Sequence, residues 1–481
     1  MDEGRAADPA PGAESGDPPA PDPVDAVAWP SGPLLPEDDV PIEPRGPSRG
    51  IIAITIVLIA ALVVFAVVGG RVILFEPAPT PREPLLAVTD DVGRLYTMDR
   101  TGGSVVEHSL TGIRFGFPGW SPDGTRIAVT GEDGGDIRLY VFDSAAGADA
   151  EPTLVYDEPD RPPFYLYWSP DGRQIAFLTT EPDGIALRLV PADGSAEARI
   201  VREGAPLYWA WLGNDHLVAH IGDRGDGSFL GELDLQGAST EAEQLDAGSF
   251  RSPAVSRDGS HRAYVTTGQD STGIVTLETV DRSNRQLAPV FGVAAVSFDP
   301  TGTTLAYVGG ERPQPQEIAF PIGPLRAMDP ASGESRTLLG SDVVAFFWSP
   351  DGRTIAALTL EPPDDEIVGI PGARFASARG PQPGPEDAPP PAEGVPLTLA
   401  FVDVASGTVR SSRAAEVTGR FVNNVLPYYD QYALSHQLWA PDSSAIALPL
   451  DDDGEDQLFV IPADGSEMTP LGGADLGFWS P

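Results

Sequence analysis

The sequence predicts an all-β fold, a β-propeller of four-stranded blades, and three observations carry that prediction. One phrase recurs, as GWSPDGTRIAVTG at Gly119–Gly131, YWSPDGRQIAFLT at Tyr167–Thr179 and FWSPDGRTIAALT at Phe347–Thr359. With its aromatic residue as the anchor, copies start at Trp120, Trp168, Trp211, Val255, Phe298, Trp348, Trp439 and Trp479. Successive spacings are 48, 43, 44, 43, 50, 91 and 40 residues, and a period of about 40–50 residues is that of a propeller blade. The third observation is that the segments between anchors read as short strands and polar turns, with almost no helical periodicity.

Each repeat is built from the same local chemistry. Residues ahead of the anchor, such as Phe164–Tyr167, are aromatic and suit an inner strand. Ser-Pro-Asp-Gly then matches a type I turn, with Ser first, Pro pre-setting the second position, Asp third and Gly fourth. Ile-Ala-Phe or Ile-Ala-Val opens a second strand. A polar turn such as Gly131–Asp136 leads into a third, such as Ile137–Asp143. A glycine-containing turn and a weaker fourth strand complete the unit. The anchor itself is expected to pack against the next blade.

The two ends of this region complement each other. Pro84–His108 reads as the second, third and fourth strands of a repeat that lacks its Trp strand. The C-terminal LGFWSP, Leu476–Pro481, reads as a Trp strand without its continuation. Pairing the two would close the ring and leave no exposed edge. Eight anchors then match eight strand sets, so eight blades are expected. Seven is the alternative, because the Trp211 and Val255 copies are degenerate. The 91-residue gap is expected to hold a disordered insertion at Glu361–Gly394, rich in Pro, Gly and acids, with Leu397–Arg410 supplying the missing third and fourth strands. A second, Tyr-rich insertion at Val422–Ser435 precedes the Trp439 strand.

Ahead of the repeats the character changes. Residues 1–50 carry twelve prolines, eleven acids and three arginines, too little apolar surface to offset chain entropy, so a disordered tail is expected. Ile51–Gly70 runs twenty residues without a charge, about 30 Å as a helix, which matches a hydrocarbon core. The fifty residues before it argue against a cleaved leader, so a single transmembrane helix over 51–74 is expected, followed by a proline-rich linker at 75–84. Arg45 and Arg49 before the run balance Arg71 and Arg82 after it, so flanking charge leaves the orientation open.

Composition removes several function classes. The 481 residues include no cysteine, which excludes disulfides, zinc-thiolate sites and cysteine nucleophiles. Net charge is −41, and all 30 basic residues are arginine. A chain this acidic repels phosphate backbones, which argues against nucleic acid.

The repeated W-S-P-D-G-x-x-I-A resembles the WD40-like (PD40) propeller repeats of the TolB family and of prolyl-oligopeptidase-type peptidases, over Leu85–Pro481. The chain departs from TolB in having no α/β domain ahead of the repeats. It departs from the peptidases in having no G-x-S-x-G elbow. The resemblance implies a cell-envelope propeller that binds something, extracytoplasmic with the N-terminus cytoplasmic, and carries over no catalytic residue.

Candidate chemistry is sparse. Asp123, Asp171 and Asp351 each sit in a turn that uses Asp to fold itself, and successive turns lie too far apart for a carboxylate pair. His216 and His220 would be about 13 Å apart on a strand, beyond reach of one ion. Asp451–Asp456, DDDGED, resembles the start of a calcium loop but lacks its closing acid; Asp451 and Asp453 are at most a weak cation candidate, and no metal or cofactor is expected. Arg224–Asp226, RGD, is too short a match to assign an adhesive role.

Three residues before each anchor the sequence reads Phe117, Tyr165, Tyr208, Ser252, Ala295, Ala345, His436 and Leu476. His436 alone departs as an imidazole, and it follows the Tyr-rich insertion. Propellers place ligands where inner strands converge, so Tyr428, Tyr429, Asp430, Tyr432 and His436 are expected to line the channel mouth and bind a ligand. The function expected is a membrane-tethered, non-catalytic binding or scaffold module for an envelope protein or glycan. The alternatives are a channel-based hydrolase or lyase and a single-span sensor.

Overall fold

In this computed structural model the described residues are 83–481, apart from 109, 148–149, 223–227, 240–247, 249–250, 268–272, 280–282, 312–320, 361–394 and 453. The predicted tail, the transmembrane run, all but the end of the linker, the 361–394 insertion and the RGD triplet lie outside them. No helix among the described residues is long and apolar enough to cross a membrane. Arg82–Pro481 form one unit.

Antiparallel strands follow one another in chain order. The strands β1 (Leu86–Asp90), β2 (Leu95–Met98) and β3 (Val106–Glu107) form one sheet. A second is β4 (Arg114–Trp120), β5 (Arg126–Asp133), β6 (Asp136–Asp143) and β7 (Thr153–Tyr156). The third is β8 (Pro163–Trp168), β9 (Gln174–Glu181), β10 (Gly184–Pro191) and β11 (Arg199–Gly204). Then come β12 (Leu207–Leu212), β13 (His216–Ile221) and β14 (Phe229–Asp234).

The rest is hydrogen-bonded into one run of thirteen strands. These are β15 (Ala254–Val255), β16 (His261–Thr267), β17 (Gly273–Thr279), β18 (Asn284–Phe298), β19 (Leu305–Gly310), β20 (Gly323–Met328) and β21 (Ser335–Trp348), continuing as β22 (Thr354–Leu360), β23 (Val395–Asp403), β24 (Thr408–Val417), β25 (Ala445–Asp452), β26 (Glu455–Pro462) and β27 (Thr469–Pro470). Two long strands explain the run. The first part of β18 pairs with β17 and its last part with β19, with a register shift between Phe291 and Ala295. In the same way β21 pairs first with β20 and then with β22. Each is the outer strand of one repeat and the inner strand of the next, so the predicted fourth strand runs into the following Trp strand without a loop. This is propeller architecture.

The final strand, β28 (Ala474–Trp479), returns to the beginning of the fold. It pairs antiparallel with β1, Leu86 opposite Trp479, and Ser480 N donates to Leu85 O at 2.8 Å. The N- and C-terminal segments thus share a sheet, the pairing that the sequence predicts.

The Ser-Pro-Asp-Gly turn closes on its own side chains. Ser121 Oγ donates to Asp123 Oδ1 at 2.6 Å and accepts from Arg126 N at 2.9 Å, while Gly124 N donates to Ser121 O at 2.9 Å. Gly124 has φ +65°, a conformation that costs other residues strain. The same bonds recur at Ser169–Gln174 and Ser349–Thr354. Asp123, Asp171 and Asp351 are therefore turn acids; burial raises each carboxyl, but the Ser and backbone donors outweigh it and hold it below the ordinary range.

Two belts of hydrogen bonds tie repeat to repeat. In the inner belt Trp120 Nε1 donates to Phe478 O at 2.9 Å, Trp168 to Gly119 O at 2.9 Å, Trp348 to Ser297 O at 3.4 Å and Trp439 to Phe347 O at 3.0 Å. Each acceptor is the residue just before the preceding anchor. The sequence places the anchor against the next blade; the indole instead reaches back to the previous one. The outer belt runs forward. Arg199 donates to Leu235 O, Arg285 to Pro330 O and Ala331 O, Arg336 to Val404 O and Ala405 O, and Arg413 to Gly465 O and Ser466 O. Each arginine lies at an outer strand and caps carbonyls in the following repeat's turn.

Candidate functional site

The second insertion is helical. Thr418 caps α1 (Gly419–Asn424), its side chain accepting from Phe421 N at 3.3 Å. A 3-10 turn, Leu426–Tyr428, carries Pro427 near its start, where the missing N–H costs nothing. The second helix, α2 (Tyr429–Ser435), ends at His436, whose backbone is extended. Buried Phe421, Val425, Tyr429 and Tyr432 recur at spacings of four, four and three, a helical stripe that the sequence analysis missed inside a strand-dominated region.

This helix packs against inner strands from around the fold, touching β8, β12, β18 and β21. Gln431 works as a strand partner. It accepts from Trp209 N through Oε1 at 2.9 Å, and its Nε2 donates to Trp209 O at 2.8 Å. Tyr165 OH donates to Gln431 O at 2.9 Å and lies 2.7 Å from Ser435 Oγ. Asp430 accepts from Ser252 N at 2.9 Å and from Arg251 Nη1 at 3.1 Å. The same guanidinium donates to Pro427 O, and both members of the ion pair are 2% exposed at the side chain. Tyr429 meets Phe346 and Phe347 edge-on; Tyr432 meets Tyr165 edge-on and stacks, tilted, on Phe117.

Of the five residues predicted to bind a ligand, Tyr428 alone is well exposed, at 40%. Tyr429, Asp430, Tyr432 and His436 are buried in contacts within the chain. Four positions of the counted series, Phe117, Tyr165, Ser252 and His436, border α2. Arg251, Trp209 and Gln431 were missed, although Trp209 and Arg251 stand next to positions of the counted series.

Burial sets the electrostatics. It pushes the Tyr165 and Tyr429 phenols well above their ordinary range and pulls His436 down to about 4, against a weaker opposing bond to the Phe117 backbone. His436 Nδ1 lies 2.6 Å from Ser435 Oγ. Ser435 is engaged by Tyr165, and no carboxylate touches the imidazole in the contacts described, so the pair is not organised as a nucleophile, base and orienter. What the cluster does is seat a helix.

The remaining candidates sit elsewhere. His216 and His220 lie on β13, so the strand spacing applies. His216 is half-buried beside Asp215 and Glu232, while His220 is buried with Nδ1 3.2 Å from Arg251 O. Asp451 Oδ1 accepts from Gly454 N at 2.6 Å in the β25–β26 hairpin; Asp453 is outside the described residues. Among the described residues no group of three or more His, Asp or Glu could hold a metal ion.

No family model matches the chain, and no curated protein matches it. It is similar to several solved structures. TolB from Acinetobacter baumannii is 17% identical over 54% of this chain and 63% of that one, with a TM-score of 0.34. A prolyl endopeptidase is 11% identical over 76% of this chain and 50% of that one, at 0.48. An oligogalacturonate lyase in complex with manganese is 11% identical over 80% and 83%, at 0.40. The chain thus spans less than two thirds of the length of the first two.

Proposed function

We propose that this chain is a membrane-tethered, extracytoplasmic propeller of eight blades that acts as a non-catalytic binding or scaffold module for an envelope protein or glycan. The observation that carries this reading is the filled hub. The place where inner strands converge is occupied by α2, whose Asp430, Gln431 and Ser435 are hydrogen-bonded within the chain, which favours recognition on the outer faces over chemistry in a channel. Tyr428, the exposed member of the predicted cluster, marks the face on which contact is proposed. The count of eight is our reading, supported by dividing the thirteen-stranded run at β18, at β21 and at the Val417–Leu450 pair that joins β24 to β25. That gives four sets, the last with Leu438–Trp439 as its inner strand, beside the four separate sheets.

The tether rests on the uncharged run Ile51–Gly70 and its length. Protease added to intact cells should digest the propeller and leave the N-terminal tail until the cells are lysed. A propeller protected on intact cells would overturn the placement. The full chain should also retain one envelope component saturably, and Tyr428→Ala should weaken that capture at unchanged stability.

A further inference from the structure

One seam between repeats is built differently from the rest. It lies between the Trp211 repeat, β12–β14, and the Val255 repeat, β15 to the first part of β18. At four other seams an anchor indole bonds the preceding repeat, from Trp120, Trp168, Trp348 and Trp439. The Trp211 and Trp479 indoles meet no acceptor among the described residues. Their seams have other ties: Arg199 and Arg202 on the carbonyls of Leu235 and Gly237, and Trp479 N on Gln437 O. The two seams that follow the Val255 repeat are each spanned by one strand, β18 or β21, that belongs to both repeats.

The seam between β14 and β15 has neither device. Its anchor is Val255, which has no side-chain donor, and the two strands belong to separate sheets. Apolar packing across it is a small cluster, Val218 and Leu230 with Tyr264, flanked by Leu212 and Val255. The rest of the Val255 repeat's core is shared with the repeat that follows. Buried charge fills the seam instead. Arg262 and Tyr264 lie two apart on β16 and share a face. Arg262 meets Glu232 of β14 at 2.7 Å and lies 3.4 Å from Glu278 of β17, while Tyr264 OH donates to Glu278 at 2.6 Å. All three ions are buried. The inner ends of both repeats are fixed to α2, Trp209 through Gln431 and Ser252 through Asp430. Movement between the repeats therefore pivots at the hub and grows outward.

We propose that this seam opens on its own: the Trp211 and Val255 repeats part from the outer side, hinged at the hub helix, while the other seams stay closed. Parting an apolar seam exposes its surface to water at a cost proportional to area. Parting an ionic seam returns carboxylates and guanidinium to water, and their hydration offsets much of the lost attraction. Opening here therefore costs less than at the Trp168 seam, where Ala128, Leu139, Val141, Leu166 and Trp168 belong to one larger cluster.

The chain has no cysteine, so a single introduced thiol reports one place. Leu230 and Leu139 are matched probes. Each lies four residues before the acid of the turn after its third strand, Asp234 or Asp143. Each is buried, at 1% and 0%, in its own seam's cluster. In native buffer a thiol reagent should modify Leu230→Cys at least about tenfold faster than Leu139→Cys, after correction for each variant's global stability. Glu232→Gln, which removes one carboxylate of the row, should raise the Leu230→Cys rate further and leave Leu139→Cys unchanged. Equal rates at the two sites, or a Leu230→Cys rate that tracks global unfolding across denaturant, would overturn the proposal. Should Leu230→Cys fail to fold, Val218→Cys on β13, in the same cluster, is read against the same control.

Discussion

At the residue scale the fold depends on a few donors aimed at carbonyls of neighbouring repeats. Trp168 is buried with its indole N–H 2.9 Å from Gly119 O. Phenylalanine keeps most of the apolar burial but strands a buried carbonyl, so Trp168→Phe should cost about 1–3 kcal/mol, read as a shift of the denaturation midpoint. The outer belt explains how a chain without lysine uses its arginines. Arg336 reaches two carbonyls, Val404 O and Ala405 O, from one planar fork. An ammonium cannot span both, so Arg336→Lys should lose about 0.5–1.5 kcal/mol despite keeping the charge. A midpoint unchanged in Arg336→Lys would show that this clamp contributes nothing.

At the element scale the instructive segment is the one between β24 and β25. The sequence marks Val422–Ser435 as an insertion, and the structure makes it two helices, starting at Gly419. Its apolar spacing is helical, but two short helices in a repeat of strands give too little periodicity to outweigh the surrounding pattern. The helix α2 is anchored by Asp430, which neutralises Arg251 in a site closed to water. Asp430→Asn removes the carboxylate bonded to that buried guanidinium and should destabilise the domain by about 3–5 kcal/mol, measured by chemical denaturation. A loss below about 1 kcal/mol would mean that water or another acid reaches Arg251.

At the scale of the whole molecule the decisive contact joins the two ends of the propeller. Trp479 is fully buried opposite Leu86, and Ser480 bonds Leu85 in both directions, Ser480 N to Leu85 O and Leu85 N to Ser480 Oγ. Removing Ala474–Pro481 strips the β1 edge and deletes a large core side chain. The truncated chain should lose about 3–5 kcal/mol from the Trp alone and self-associate through the uncovered edge. Sizing chromatography and the denaturation midpoint check this together. A monomer of wild-type stability would mean that the end pairing is dispensable.

The sequence by itself determined the repeat, its turn and the partner of its first strand. These are local facts: Ser-Pro-Asp-Gly folds through its own side chains, and a Trp strand that lacks a continuation can be matched to strands that lack a Trp. A constant offset from each anchor also names the same place on every inner strand. Only the tertiary structure decided what fills that place. Tyr429, Asp430, Tyr432 and His436 look like a ligand site when they are counted along the chain. They are buried because Tyr165, Trp209 and Arg251, the first of them 266 residues from Gln431, converge on the short helix that carries Gln431. The direction of the Trp and Arg belts was hidden for the same reason. A donor and its acceptor are set by how one repeat rests on another, and no spacing within a repeat encodes that.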